Sequence, residues 1–401
     1  MRKYIVLIAA VFIQLSLGAG YSWSTFVPAL KQNFGLTTTQ TQVIFGMGSL
    51  AATFLIFLGG RIQDHFGPRI PAFIGGIIFG SSYVLAGYSN GSYPALLLFI
   101  GILAPVGVGL CYLCPIACSV KWFPNHQSLV TGIAVAGFGG SAIVISQLSE
   151  YLLAQQMNVL SIFRYMGFGF ITILVIATMF LQNPPQEIKE NRGDVDIKTF
   201  DLFRDRKFLG LLCGIFPCLC VGLMIIGNIK PYGLSLNMDM AVAGAAVTIL
   251  AIFNTLGRIT WGFIGGILKG KKTILISLIC TATVCLAAPF VVKNKATFYL
   301  FTILAGFNYS ACLVLYAAEI ANQYGTERMG MVYSTLFLCN GIAGFISPPL
   351  AGKIFDSVGS YTPAFLIFGT LSFISIFLFY FIYKPKPAKL EKSKIGLYPP
   401  L

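Results

Sequence analysis

Residues 59–69 read GGRIQDHFGPR, a polar stretch between two apolar runs at approximately 40–60 and 70–88. The stretch contains glycine, proline and charged side chains, which favour a turn in water over burial in hydrocarbon. Each flanking run has about 20 residues, the length that an α-helix needs to cross the hydrocarbon core of a bilayer. We therefore predict that residues 59–69 form a loop between two transmembrane helices.

The composition extends this interpretation to the whole chain. Of its 401 residues, 56% are hydrophobic and 10% are charged, whereas soluble domains carry about 25% charged residues. Apolar runs of similar length recur between short polar breaks. They lie at approximately 4–27, 40–60, 70–88, 94–120, 128–150, 160–182, 207–230, 241–266, 273–292, 297–320, 331–354 and 361–383. The sequence thus predicts an all-α protein with twelve transmembrane helices in a lipid bilayer.

A long hydrophilic insert divides the chain into two halves of similar length. The predicted units are an N-terminal six-helix bundle at 1–182, a cytoplasmic linker at 183–206, a C-terminal six-helix bundle at 207–384 and a cytoplasmic tail at 385–401. The tripeptide Ile-Leu-Ala occurs at 102–104 and again at 303–305, in equivalent spans. This repeat favours two pseudo-symmetric bundles that arose from one duplicated unit.

Lysine and arginine residues are concentrated at one set of helix ends, the set that lies with the N-terminus. Arg2, Lys3, Lys271 and Lys272 belong to this set, and the opposite ends hold few basic residues. Because positively charged loops stay in the cytoplasm, we expect both termini to be cytoplasmic, in a bacterial inner membrane. The first span is expected to stay uncleaved, since its apolar run is longer than that of a signal peptide. The same asymmetry explains the net charge of +14, so no nucleic-acid partner is expected.

The sequence contains no clear pattern of residues for metal binding or catalysis. Its ten cysteines are scattered, most of them within apolar runs, and there are two histidines. No metal-ligand spacing and no hydrolase or protease motif occurs at membrane depth. We therefore expect no metal, no cofactor and no enzymatic activity.

The opening stretch also carries a spaced motif. Gly60, Asp64, Gly67 and Arg69 fit the pattern G-x-x-x-D-[R/H]-x-G-x-R, which resembles the signature loop between helices two and three of the major facilitator superfamily. The resemblance implies a transporter whose two halves rock about a central site. Asp64 can face a helix N-terminus across the seam, where its charge is favoured, so these four residues are predicted to form a conformational latch; a solvated charge cluster is the alternative. The second-half copy at 262–272, GFIGGILKGKK, lacks the aspartate, so the latch is expected on one side only.

Four further patches are spread over both halves. They are Gly18-x-x-Tyr21-x-Trp23-Ser24-x-Phe26, Lys121-Trp122-Phe123-Pro124 with Thr131-Gly132, Gly227-x-x-Lys230-Pro231-Tyr232 and Asn254-x-x-Gly257-Arg258. Together they resemble the oxalate/formate antiporter family, which is near the monocarboxylate transporters. The likeness covers almost the whole chain and implies a carrier of small organic anions.

Arg258 is the residue from which the predicted binding site is built. It lies within an apolar span, where a permanent charge costs roughly 2.5 kcal/mol or more. The acids of the membrane region, Glu150, Asp239 and Glu319, all fall near predicted helix ends. A planar guanidinium binds a carboxylate through two parallel hydrogen bonds, so the predicted partner of Arg258 is the cargo. The resemblance implies the same role; the alternative is a structural arginine held by backbone carbonyls or by Glu319.

Other polar and aromatic residues near mid-span are candidate substrate contacts. Asn254 lies one helical turn before Arg258 on the same face, at a place where the animal monocarboxylate transporters that this stretch resembles carry aspartate. Asn340 stands where the oxalate antiporter carries a second cation, a lysine, which favours a monocarboxylate over a dicarboxylate as cargo. The remaining candidates are Tyr21, Tyr112, Tyr309, Tyr316 and Gln14. A tyrosine hydroxyl can donate to a carboxylate without adding charge, although each of these rings could equally serve packing.

These features predict a monomeric secondary active transporter that moves a small organic anion, a monocarboxylate, by alternating access as an exchanger or facilitator. The alternatives are a proton-coupled monocarboxylate symporter, with Glu319 as a candidate proton carrier, and an efflux transporter for amphipathic compounds. Lys230 lies near the outer end of the seventh span. It either steers anions inward or extends its ammonium group to the membrane interface, and we expect the second arrangement.

Overall fold

The computed structural model of the protein describes residues 2–184, 199–268 and 270–384. Within these residues the chain is helical and contains no strand. The membrane helices are α1 Arg2–Phe34, α2 Thr38–Phe66, α3 Arg69–Ala86, α4 Tyr93–Trp122, α5 Gln127–Ala154, α6 Val159–Met179, α7 Arg206–Ser235, α8 Met240–Leu268, α9 Gly270–Val291, α10 Lys295–Tyr324, α11 Thr326–Val358 and α12 Thr362–Ile382. All twelve are long and apolar enough to cross a membrane, which confirms the predicted fold class.

The predicted loop at residues 59–69 is much shorter in the structure. Helix α2 continues through the signature stretch to Phe66, and α3 begins at Arg69. Gly67 turns the chain in the left-handed region with φ of 75°, a conformation that glycine adopts without steric cost. Pro68 follows and cannot donate the next helical hydrogen bond. The polar residues mark where the apolar run ends, but the helix continues beyond them. The predicted end of the helix was therefore placed too early.

Some of the predicted boundaries lie outside the described residues. Residues 185–198, most of the predicted linker 183–206, and the predicted tail 385–401 are in this group. The division into units at these boundaries therefore stays a prediction. The two bundles themselves comprise α1–α6 and α7–α12, which we call the N-half and the C-half.

Close helix packing within the N-half depends on glycine at positions where two backbones approach. In α1 a short 3-10 turn at Gly18–Ser22 replaces the α-helix. A Cβ at Gly18 would lie 2.2 Å from the carbonyl oxygen of Phe138 in α5, so only glycine fits there. This contact sets Tyr21, three residues later, beside α5 and the seam between the halves.

The seam is built from α2 against α11 and from α5 against α8. Both described chain ends, Arg2 and Lys384, lie on one side of the bundle, which we call the termini side; the opposite side is the far side. On the far side Asp356 accepts hydrogen bonds from the backbone N–H groups of Thr38, at 3.1 Å, and Thr39, at 2.7 Å. Its carboxylate thus caps the N-terminus of α2, where a negative charge is favoured. The halves are in contact on the far side in this structure.

Candidate functional site

Arg258 lies in α8 at the seam, with its guanidinium against α5 of the other half. Its Nη1 is 3.5 Å from the carbonyl oxygen of Val135, a long and weak hydrogen bond. A Cβ at Gly139 would lie 3.4 Å from Nη2, so the absence of a side chain there leaves room for the guanidinium. Among the described residues, Nε of Arg258 is buried with no hydrogen-bond partner. Among the residues that the structure describes, most of the donors of this arginine thus have no acceptor.

No described carboxylate comes within 4.0 Å of the Arg258 nitrogens. Glu319, the alternative partner, is 3% exposed and is engaged elsewhere. It accepts a hydrogen bond from the Tyr383 hydroxyl and another from Nε2 of Gln323 at 3.2 Å, and it lies beside Gly270 at the beginning of α9. The structure therefore does not support a pair between Glu319 and Arg258.

Three of the predicted tyrosines come together around the guanidinium. The rings of Tyr21 and Tyr112 both pack edge-on against Phe138 of α5, with centroids 5.4 and 5.3 Å away. Tyr309 of α10 lies close to Tyr21, and its hydroxyl is buried. Tyr112 and Tyr309 both lie within electrostatic range of the Arg258 guanidinium. Three helices of the N-half and one of the C-half therefore contribute aromatic side chains near the guanidinium that α8 supplies.

Asn254 adds a buried amide one turn from Arg258. Its side chain is 1% exposed, and its Oδ1 accepts no hydrogen bond from the residues that the structure describes. Buried polar groups are rarely left unpaired, because each costs about 1–3 kcal/mol. An unpaired amide beside an unpaired guanidinium favours a ligand at this place.

Tyr316 does not belong to this group. Its ring is fully buried, and its hydroxyl points to α7, where a Cβ at Gly214 would lie 2.5 Å from the hydroxyl oxygen. A Cβ at Gly214 would also lie 3.2 Å from the Phe379 ring. Two turns along α10 separate Tyr316 from Tyr309, and this displacement carries it into the interior of the C-half. Although both tyrosines were candidate substrate contacts, their hydroxyls do not meet at one site.

Gln14 and Asn340 lie near the site but have structural contacts of their own. Nε2 of Gln14 donates to the carbonyl oxygen of Tyr112 at 2.9 Å, which ties α1 to α4 beside these aromatic side chains. Nδ2 of Asn340 donates to Oγ1 of Thr53 at 3.3 Å, which joins α11 to α2 across the seam. Within the described chain both side chains keep an unpaired carbonyl oxygen. Each can therefore hold the site together and still accept one more hydrogen bond.

The predicted latch is described only in part. Gly60 and Asp64 belong to α2, but the surroundings of Gly60 and the side chain of Asp64 lie outside what the structure describes. Gly67 ends α2, and the exposed Arg69 begins α3. The latch formed by Gly60, Asp64, Gly67 and Arg69 stays a prediction.

Sequence reasoning missed Tyr333 and misplaced Lys230. Tyr333 of α11 donates to the carbonyl oxygen of Leu313 at 3.2 Å, stacks on Phe337 at 5.6 Å, and lies within reach of the Arg258 charge. Its sequence context, an aromatic within an apolar span, does not distinguish it from packing residues. Lys230 is 1% exposed and bonded to Glu150 of the other half. The expectation that its ammonium group extends to the membrane interface was wrong, because the half-buried carboxylate of Glu150 holds it in the seam.

Replacement of Tyr309 by phenylalanine is expected to lower anion affinity about tenfold, since a donor to a charged ligand contributes about 1.5–3 kcal/mol. Tyr316→Phe is the matched control, because its hydroxyl is equally buried and unpaired among the described residues but lies away from Arg258. Isothermal titration of each purified variant with a small carboxylate measures the effect. Equal losses in both variants, or none in Tyr309→Phe, would contradict the placement of Tyr309 in the site.

The amino-acid sequence of the chain is similar to those of known membrane transporters. The sequence model of the Major Facilitator Superfamily matches residues 7–229 and 211–398. The chain is 26% identical to the oxalate:formate antiporter of Oxalobacter formigenes, over 99% of this chain and 95% of that protein. It is 26% identical to the uncharacterized MFS-type transporter YhjX of Escherichia coli, over 85% of each chain. It is 24% identical to monocarboxylate transporter 12 of Xenopus laevis, over 88% of this chain and 83% of that protein.

A solved structure shares the fold. It is a bacterial homologue of the human lysosomal transporter Spinster in an inward-facing, unoccupied conformation. The TM-score is 0.73 at 16% identity, with 95% of this chain and 97% of that chain covered. The twelve-helix arrangement in two halves is therefore an arrangement known from experiment.

Proposed function

The chain belongs to the Major Facilitator Superfamily and is therefore a multi-pass membrane transporter rather than an enzyme, and from that premise we propose that its cargo is a small organic anion, specifically a monocarboxylate. The binding site lies at the seam, where alternating access requires it. We further propose that the protein acts as a monomer, as an exchanger or facilitator. A bacterial inner membrane with both termini in the cytoplasm is the setting that the basic residues favour.

The observation that carries the proposal is that Arg258 has no carboxylate partner among the described residues. Its guanidinium keeps free donors at membrane depth, with no described carboxylate within 4.0 Å. A carboxylate would satisfy two of these donors at once and neutralise the charge. Tyr309 can donate a further hydrogen bond, and the amide oxygen of Asn254 can accept one from a hydroxy acid. These groups suit a cargo of a few atoms with one carboxylate.

Each alternative places a different requirement on the charged groups of the site. A proton-coupled symporter needs a protonatable group in the path, and Glu319, the candidate, is bonded to Tyr383 and Gln323 away from Arg258. An efflux transporter for amphipathic cations would place its cargo beside Arg258, which repels a cation. Exchange or facilitated passage of an anion avoids both difficulties, so it is our first choice.

Uptake into proteoliposomes tests the proposal. The panel is lactate, formate, pyruvate, oxalate and malate, each with and without unlabelled acid inside. We expect uptake of at least one monocarboxylate, stimulated by internal counter-anion. Uptake driven by a pH gradient without internal anion would favour the symporter instead, and absence of uptake across the panel would contradict the proposal.

Asn340→Lys is expected to shift selectivity toward dicarboxylates. The substitution adds a second cation at the seam, where Asn340 contacts Thr53 of the other half. We expect the affinity for oxalate to rise about tenfold relative to the affinity for monocarboxylates. This is the effect of roughly 1.4 kcal/mol of added ion pairing. Competition of oxalate against labelled lactate measures the shift, with Asn340→Gln as the neutral control. An unchanged preference would mean that Asn340 does not face the cargo.

A further inference from the structure

An ion pair between a buried lysine and a half-buried glutamate joins the two halves on the far side of the seam. Nζ of Lys230, in α7 of the C-half, lies 2.6 Å from Oε1 of Glu150, in α5 of the N-half. The same ammonium group donates to the carbonyl oxygen of Thr25 in α1, at 3.3 Å. Lys230 is 1% exposed, so its charge is kept from water and satisfied by the opposite half.

Helix α8 of the C-half packs against the Glu150 carboxylate. A Cβ at Gly244 of α8 would lie 2.7 Å from the Glu150 carboxyl carbon, so the bare backbone of α8 covers the carboxylate. One turn deeper, Thr248 of α8 pairs with Ser146 of α5 at 2.9 Å. The pair therefore lies between the far side and the interior of the seam, with Lys230 buried and Glu150 half-buried.

Separation of the halves on the far side would remove both partners of Lys230 at once, because Glu150 and Thr25 belong to the N-half. An ammonium group in a narrow apolar opening strongly favours the binding of an anion, because an unpaired charge there is costly. Arg258 is fourteen residues beyond Gly244 along α8, or about 20 Å deeper. A carboxylate that arrives from the far side therefore meets Lys230 well before it reaches Arg258.

We propose that Lys230 is a second anion site of the transporter, which Glu150 occupies when the far side is closed and a carboxylate of the cargo occupies when that side is open. The inference rests on the proposed function in that its ligand is the same class of anion. Exchange of one carboxylate for another keeps the charge at Lys230 balanced throughout. An anion that stays at Lys230 excludes Glu150 and so prevents closure, whereas transfer of the anion to Arg258 frees Lys230 for Glu150.

Hydrogen exchange on the purified protein tests the site independently of transport. The measurement uses an Arg258→Gln background, which removes the central site, and lactate as the probe. With Lys230 intact, we expect lactate at ten times its half-effect concentration to raise amide exchange in residues 146–154 and 240–248 about tenfold, by stabilising the open far side. Adding Lys230→Gln should abolish this response, and adding Glu150→Gln should produce the response at lower lactate concentration.

Transport in oriented membrane vesicles supplies the second measurement, in the wild-type background. Lys230→Gln should lower the initial rate of lactate uptake from the far side about tenfold, with little change in uptake from the termini side. Lys230→Arg should retain most of the rate. Lys353→Gln is the matched control, because Lys353 is an exposed lysine near the far-side end of α11; it should change neither measurement.

The outcomes separate the two proposals. If the wild-type protein does not transport the probe but lactate still alters exchange through Lys230, the second site holds and the proposed function fails. If lactate is transported but Lys230→Gln behaves as Lys353→Gln in both measurements, the proposed function holds and the second site is overturned. A lactate response that persists in Lys230→Gln also overturns the second site.

Discussion

Replacement of Arg258 by glutamine is expected to abolish carboxylate binding while the protein stays folded. Two charge-assisted hydrogen bonds are lost, and the expected cost of about 3 kcal/mol or more corresponds to a loss of roughly 100-fold in affinity. Stability should not fall, because within the described chain the guanidinium has only the long contact to Val135. Removing a half-buried charge without an ion pair relieves part of a desolvation penalty, so the thermal midpoint should stay equal or rise.

The Arg258→Lys variant tests the donor geometry of Arg258 separately from its charge. It keeps the charge but lacks the planar pair of donors, so binding should be weak rather than absent. Titration of the purified variants with lactate and differential scanning calorimetry measure the two effects. Arg164→Gln is the control, because Arg164 lies in α6 and its contacts are with Ser161 and the Tyr88 ring. Wild-type affinity in both Arg258 variants would contradict the central role of this residue.

Gly46→Ala is expected to hinder closure of the far side and to reduce transport strongly. A Cβ at Gly46 of α2 would lie 2.6 Å from the carbonyl oxygen of Gly344 in α11, and backbone atoms cannot move aside easily. Overpacking of this kind costs about 1–3 kcal/mol, which shifts the ratio of closed to open far side by roughly 5–150-fold. The chain can avoid the clash by keeping the halves apart there, so the fold should persist.

Gly48→Ala provides the comparison on the same helix. A Cβ at Gly48 would have ordinary contacts, the nearest at 3.7 Å from the carbonyl oxygen of Ile100. We expect a near-normal transport rate for Gly48→Ala and a transport rate lowered about tenfold or more for Gly46→Ala. Hydrogen exchange at the beginning of α2 should rise only in Gly46→Ala. Equal behaviour of the two variants would mean that the close approach of Gly46 and Gly344 is not needed for transport.

The number and type of helices followed directly from the sequence. A run of apolar residues long enough to cross a bilayer must form a helix, because hydrocarbon offers the backbone no hydrogen-bond partner. The same argument placed Arg258 in the membrane and required a partner for it. The sequence also predicted Tyr21, Tyr112 and Tyr309 at similar depth, and the structure brings these three together around Arg258.

The rotation of each helix about its axis was decided only by tertiary packing. Lipid and protein interior are both apolar, so an apolar span carries little signal of which face is turned inward. Tyr316 therefore looked equivalent to Tyr309 but lies against α7 in the C-half. Lys230 and Glu150 are 80 residues apart in the chain, and nothing local to either predicts their pairing. Depth in the membrane is a property of the sequence, whereas the partner at that depth depends on how the two halves pack.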